Sequence, residues 1–142
     1  MPLSVLLNDE LGQNLVFNLR LPRLITSALL GMSLAAAGGV MQMLFRNPLV
    51  EPGFLGVTQG AGFGAAISIL FLSTSPLVVE LSATAFAILG LVLSYFIARR
   101  IRFGGWVLRL VLSGIAVSAI FSAGLGILKY LADPTSQLPE IV

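Results

Sequence analysis

The chain has 142 residues, 57% of them hydrophobic and 10% charged, with a mean hydropathy of +1.01 and a net charge of +2. Soluble domains carry about 25% charged residues, so an ordinary soluble enzyme is excluded in favour of a polytopic membrane protein. The absence of Cys and His also excludes disulfides, thiol chemistry, zinc sites of the usual kind and the commonest general base.

The N-terminal apolar run, residues 2–7, has no basic flank before it and meets Asp9 and Glu10. It does not read as a signal peptide. Residues 24–45 then run for 22 positions without a charge, and residues 52–79 for another 28, broken by Gly53 and by Ser73-Thr74-Ser75-Pro76. Residues 81–98 and 110–128 give two more uncharged runs, of 18 and 19. A helix needs about 20 residues to cross roughly 30 Å of hydrocarbon. The reading is all-α: a transmembrane bundle with helices at about 24–45, 54–72, 77–98 and 110–130. Barrel strands fit poorly, because the runs are continuously apolar and do not alternate.

The first connection, Arg46 to Gly53, holds two prolines and a glycine that stop one helix and start the next. The third is basic, with Arg99, Arg100 and Arg102 before Phe103-Gly104-Gly105-Trp106 and then Arg109. Arg46, Arg99, Arg100, Arg102 and Arg109 fall on one side of the membrane, and Arg20, Arg23 and Lys129 on the other. The five-to-three excess places the first group in the cytoplasm. An outside N-terminus without an export signal then suggests that a preceding helix is missing. The basic residues lie beside apolar runs, so nucleic acid is not an expected partner.

Small residues recur every four positions, which places them on single helix faces. The first span has Ser27, Gly31, Ala35 and Gly39. The second has Gly56, Gly60 and Gly64, and the fourth has Gly114, Ser118, Ser122 and Gly126. Such stripes let backbones approach in lipid. They mark a tight bundle without saying what it does. Gln42, Thr58 and Gln59 are three polar residues in or near the spans, and the two amides should face protein or water. No span has an ionisable residue at its centre, which favours energy supplied by a partner over ion coupling. Arg20-Leu21-Pro22-Arg23 is read first as an interfacial anchor, with docking to a partner's carboxylates as the alternative.

Taken in order, the residues become specific. Arg20-Leu21-Pro22-Arg23 is followed by Gly31, Gly38-Gly39 and Gln42. Then comes Arg46-Asn47-Pro48-Leu49-Val50-Glu51-Pro52-Gly53-Phe54-Leu55-Gly56-Val57-Thr58-Gln59-Gly60-Ala61. Leu112-Ser113-Gly114-Ile115-Ala116 opens a later helix. This pattern strongly resembles FecCD-type permeases, the membrane subunits of ABC importers for iron–siderophores, haem and cobalamin.

The resemblance implies a ten-helix permease in a bacterial inner membrane, of which these four spans look like the second to fifth helices. The chain is therefore expected to be incomplete at both ends. By the same resemblance, Arg20 and Arg23 receive acidic residues of a periplasmic or lipoprotein substrate-binding protein. Asn47 and Leu49 match a cytoplasmic gate, and the loop with Gly104 and Gly105 matches a second gate segment. The implied partners are a second permease subunit, identical or not, and ATP-binding cassette ATPases that hydrolyse ATP. No catalytic residue, cofactor or resident metal is expected in this chain. The alternatives are a structural or assembly membrane protein and half of a secondary transporter.

Overall fold

A computed structural model describes residues 10–48 and 50–141. The chain divides into two units, Met1–Arg46 and Asn47–Val142.

The first unit is a run of helix. It comprises α1 (Glu10–Asn14), a π-helical stretch (Leu15–Arg20) and α2 (Leu21–Phe45). The apolar part, Gly12–Phe45, is 34 residues long. The expected start near residue 24 is therefore too late. Charge-free counting stopped at Arg23, but a helix tolerates arginine at a membrane edge, where the long side chain reaches water. Pro22 stands in the first turn of α2. A proline ring inside an α-helix collides with the carbonyl four residues back. The wider turn just before it, in which the Leu21 N–H reaches Val16 O, lets the helix pass into Pro22 without a break. Thr26 Oγ1 donates to Pro22 O at 2.7 Å, and Ser33 Oγ donates to Leu29 O at 2.7 Å. These hydroxyls are satisfied by their own helix, which makes them cheap to carry in lipid. Arg46 ends the helix with φ 48°, a left-handed conformation uncommon outside glycine.

The second unit begins with an irregular connection and a 3₁₀ turn (Pro52–Leu55). It continues as α3 (Val57–Ile67) and a π-helical turn (Ser68–Leu72), then α4 (Pro76–Arg100), α5 (Trp106–Leu131) and the short α6 (Leu138–Ile141). α3, α4 and α5 pack pairwise against one another. The apolar stretch Val57–Leu72 is too short to count as a full span, whereas α4 and α5 are long and apolar enough to cross a membrane.

Small residues set the α3–α4 spacing. A Cβ on Gly60 would lie 2.5 Å from Phe86 O, and one on Gly64 would lie 2.6 Å from Ser82 O. Both are closer than real Cβ contacts, so only glycine admits this approach. Ser82 Oγ donates back to Gly64 O at 2.7 Å. Beside this seam, each helix contributes one ring to a cluster. Phe63 lies 5.5 Å from both Phe86 and Phe121, within the range of favourable aromatic pairing.

Candidate functional site

The site is the irregular backbone of residues 50–56, wedged between α4 and α5. Pro52 supplies the fixed φ that starts the 3₁₀ turn. The turn closes through Phe54 N–H to Glu51 O (3.2 Å) and Gly56 N–H to Gly53 O (3.4 Å). Gly56 then takes φ +78° and leads into α3. A Cβ there would also lie 2.9 Å from Val117 Cγ1. Conformation and space both demand glycine at this position.

Two helices receive the wedge. On α4, Ser94 is fully buried, and its Oγ lies 2.9 Å from both Leu55 O and Gly90 O. A Cβ on Gly90 would fall 2.6 Å from Gly56 O. On α5, a Cβ on Gly114 would collide with Phe54 O and lie 2.9 Å from Leu55 Cα. Ser94 stands six residues before the end of α4 at Arg100, about 9 Å along the axis. Gly114 stands eight residues after the start of α5 at Trp106, about 12 Å along it. Non-helical backbone thus enters the helical layer, where lipid offers no hydrogen bonds. The Ser94 hydroxyl replaces water at Leu55 O.

The α4–α5 loop closes the same end of these helices. Gly104 has φ +71°, and Gly105 caps α5 in an extended conformation. Arg109 folds back, with Nη1 donating to Ile101 O at 3.0 Å and the guanidinium 5.9 Å from the Trp106 ring centroid. Its backbone oxygen accepts from Ser113 Oγ at 2.7 Å. Among the described residues, no three acidic, His or Cys groups converge as a metal site.

The expected site residues fall in different places. Gly56, Gly60, Gly64 and Gly114 all sit where a helix or the wedge touches another backbone. Among the described residues, a Cβ on Gly31, Gly39 or Gly126 would meet nothing within 4 Å. Arg20 and Arg23 are exposed and lie inside the helical run rather than ahead of it. Asn47 is half-buried at the start of the connection, and its carbonyl accepts from Val50 N–H at 3.4 Å. Leu49 lies outside the described residues. A Cβ on Gly104 would lie 2.9 Å from Leu108 Cδ2, and one on Gly105 would meet none of the described residues within 4 Å beyond its chain neighbours.

Sequence reasoning missed Gly90 and Ser94. The signal was present, because Gly90, Ser94 and Ala98 repeat the spacing of four on α4. All three are buried.

Residues 2–141 match the FecCD transport family. The chain is 38% identical over 135 residues to the molybdate import system permease protein MolB of Haemophilus influenzae, covering 94% of this chain and 39% of that one. It is 40% identical over 119 residues to the hemin transport system permease protein HmuU of Yersinia pestis, covering 82% and 36%. It is similar in fold to a solved inward-facing ABC transporter assigned to the metal-chelate type, with a TM-score of 0.78 and 36% identity, covering 94% of this chain and 42% of that one. The chain thus spans well under half the length of the relatives it matches.

Proposed function

The chain belongs to the FecCD transport family, and from that premise we propose that it forms part of the membrane permease of a bacterial ABC importer for iron–siderophores, haem or cobalamin. Its place is the inner membrane. The observation that carries the reading is the wedge at residues 50–56. A path that opens and closes needs a segment that can shift without unwinding a helix. The wedge suits that role, since no helical ladder holds it: among the described residues it is seated by packing on Gly90 and Gly114 and by the hydrogen bond from Ser94 Oγ to Leu55 O. In this reading Asn47 and Leu49 narrow the path, and the Gly104–Gly105 loop forms the second constriction.

Energy comes from separate ATPase subunits, and the path is completed by a second permease subunit. A substrate-binding protein docks on Arg20 and Arg23. Helix geometry suits that docking. Arg20 lies 25 residues before Phe45, about 38 Å at 1.5 Å per residue, which exceeds the roughly 30 Å hydrocarbon core. Both arginines can therefore stand at headgroup level on a rigid helix, positioned for carboxylates.

The test is uptake in cells carrying the complete transport operon. Deleting the gene is expected to abolish ATP-dependent uptake of one of the three chelate classes. Gly114→Ala is expected to lower that uptake per permease present in the membrane, by pushing the wedge off α5. Arg20→Glu with Arg23→Glu is expected to weaken capture of the binding protein at low salt. If deletion leaves uptake of all three classes and of molybdate intact, the importer reading fails and a structural or assembly role takes its place.

A further inference from the structure

The C-terminal end of α4 carries a feature that the transport reading does not use. Leu91, Val92, Tyr95 and Phe96 of α4, with Leu110 of α5, wall an apolar groove of about 430 Å³. Phe96 also lines a second hollow, of about 320 Å³, with Arg99 and Arg100. Phe96 is common to both linings, and the Arg99 guanidinium sits 5.7 Å from the Tyr95 ring centroid, so the basic hollow adjoins the apolar one along α4.

The register explains the continuity. Leu91, Tyr95 and Arg99 follow one another at spacing four, as do Val92, Phe96 and Arg100. Each row runs from apolar to aromatic to cationic along one helix face. The distance from Leu91 to Arg99 along the axis is about 12 Å, comparable with the upper half of an acyl chain. Tyr95 packs edge-on to Trp106 at 5.8 Å, so a second amphipathic ring steadies the tyrosine that walls the apolar hollow.

We propose that this groove and hollow together bind one anionic phospholipid, with an acyl chain along Leu91, Val92 and Leu110 and the phosphate on Arg99 and Arg100. Charge complementarity selects the class. Two guanidinium groups face one hollow, and guanidinium geometry matches phosphate oxygens bidentately. The first turn of α5 brings no acidic residue to this end. A general positive-inside bias accounts for arginines at the helix end. It does not account for a preformed apolar slot leading into them.

The experiment is native mass spectrometry of the whole purified permease, with dioleoyl-phosphatidylglycerol or dioleoyl-phosphatidylcholine added in detergent. Retention of phosphatidylglycerol is expected to exceed that of phosphatidylcholine by roughly tenfold or more, given the attraction contributed by each basic residue. Arg99→Gln with Arg100→Gln should abolish the preference, and Arg99→Lys with Arg100→Lys should restore most of it. Val92→Trp, which fills the slot and keeps both charges, should lower retention about as much as the glutamine pair. Equal retention of the two lipids overturns the proposal. So does a loss confined to the glutamine pair, which would mean diffuse surface charge. Loss of ATPase co-purification in the glutamine pair, with lipid retention unchanged, would give the arginines to a protein contact instead.

Discussion

Gly114 and Gly126 occupy the same helix and the same sequence register, and their surroundings differ completely. An added methyl at Gly114 runs into Phe54 O, while one at Gly126 meets nothing within 4 Å. Gly114→Ala should therefore destabilise the protein by about 1–3 kcal/mol, the usual cost of overpacking. Gly126→Ala should leave stability unchanged or slightly raise it, since alanine favours helix. Thermal unfolding of the two variants in detergent checks the difference. A second residue-scale expectation concerns Asp133, in the turn after α5. Its carboxylate accepts from Thr135 Oγ1 at 2.6 Å and from Thr135 N–H at 2.8 Å. Chiefly the Thr135 hydroxyl, then the Thr135 amide, hold its pKa below the ordinary carboxylate value. Because the folded-state value is the lower one, the turn is favoured fully above the unfolded value, near 4. That support disappears as pH falls through the folded value. Hydrogen exchange at the Thr135 amide, corrected for intrinsic rates, should lose protection below that range. Asp133→Ala should remove the pH dependence.

Helix existence was legible in the sequence because uncharged runs of the right length have few other uses in lipid. Helix ends were not legible by the same rule. Arg20 and Arg23 are compatible with helix, so counting charges cut the first element short, and the π-helical stretch that precedes Pro22 has no simple composition signature. On the second span, Pro52 and Gly53 announced a break. What they could not announce was that the broken backbone enters the helical layer. That depends on Gly90 and Ser94, some 35 to 40 residues later in the chain. Val57–Leu72, at 16 residues, is about 24 Å long if it rises as an α-helix. The 3₁₀ turn makes up part of the remaining thickness. The α3–α4 seam gives the element-scale prediction. Gly60→Leu should cost the protein its assembly, because Phe86 O blocks even a Cβ there. Leu70→Ala, at a half-buried position in the π-helical turn, removes volume without forcing backbones apart and should be the milder change. Equal melting temperatures and membrane yields for the two would show that the seam can open at little cost.

At the scale of the whole molecule, orientation decides which compartment the wedge faces. α4 has 25 residues, about 37 Å of helix, so Ser75 and Phe103 stand at its opposite ends. The wedge lies toward the Phe103 end, because it contacts Gly90 and Ser94 in the C-terminal half of α4 and Gly114 in the N-terminal half of α5. The same end carries Arg99, Arg100, Arg102 and Arg109. By the positive-inside rule the wedge is expected on the cytoplasmic side and Ser75 on the opposite side. The absence of native cysteine makes this directly measurable. Ser75→Cys should react with an impermeant maleimide in intact cells, and Phe103→Cys only after the membrane is permeabilised. Leu55→Cys should react slowly and from the cytoplasmic side alone, because Leu55 is 8% exposed under α4 and α5 and is reached only when the wedge shifts. Reaction of the Phe103 variant in intact cells would invert the chain and place the wedge at the periplasmic mouth. Reaction of the Leu55 variant from the cytoplasm alone would mean that the wedge leaves its seat between the helices often enough for the reagent to trap it, the behaviour required of a gate.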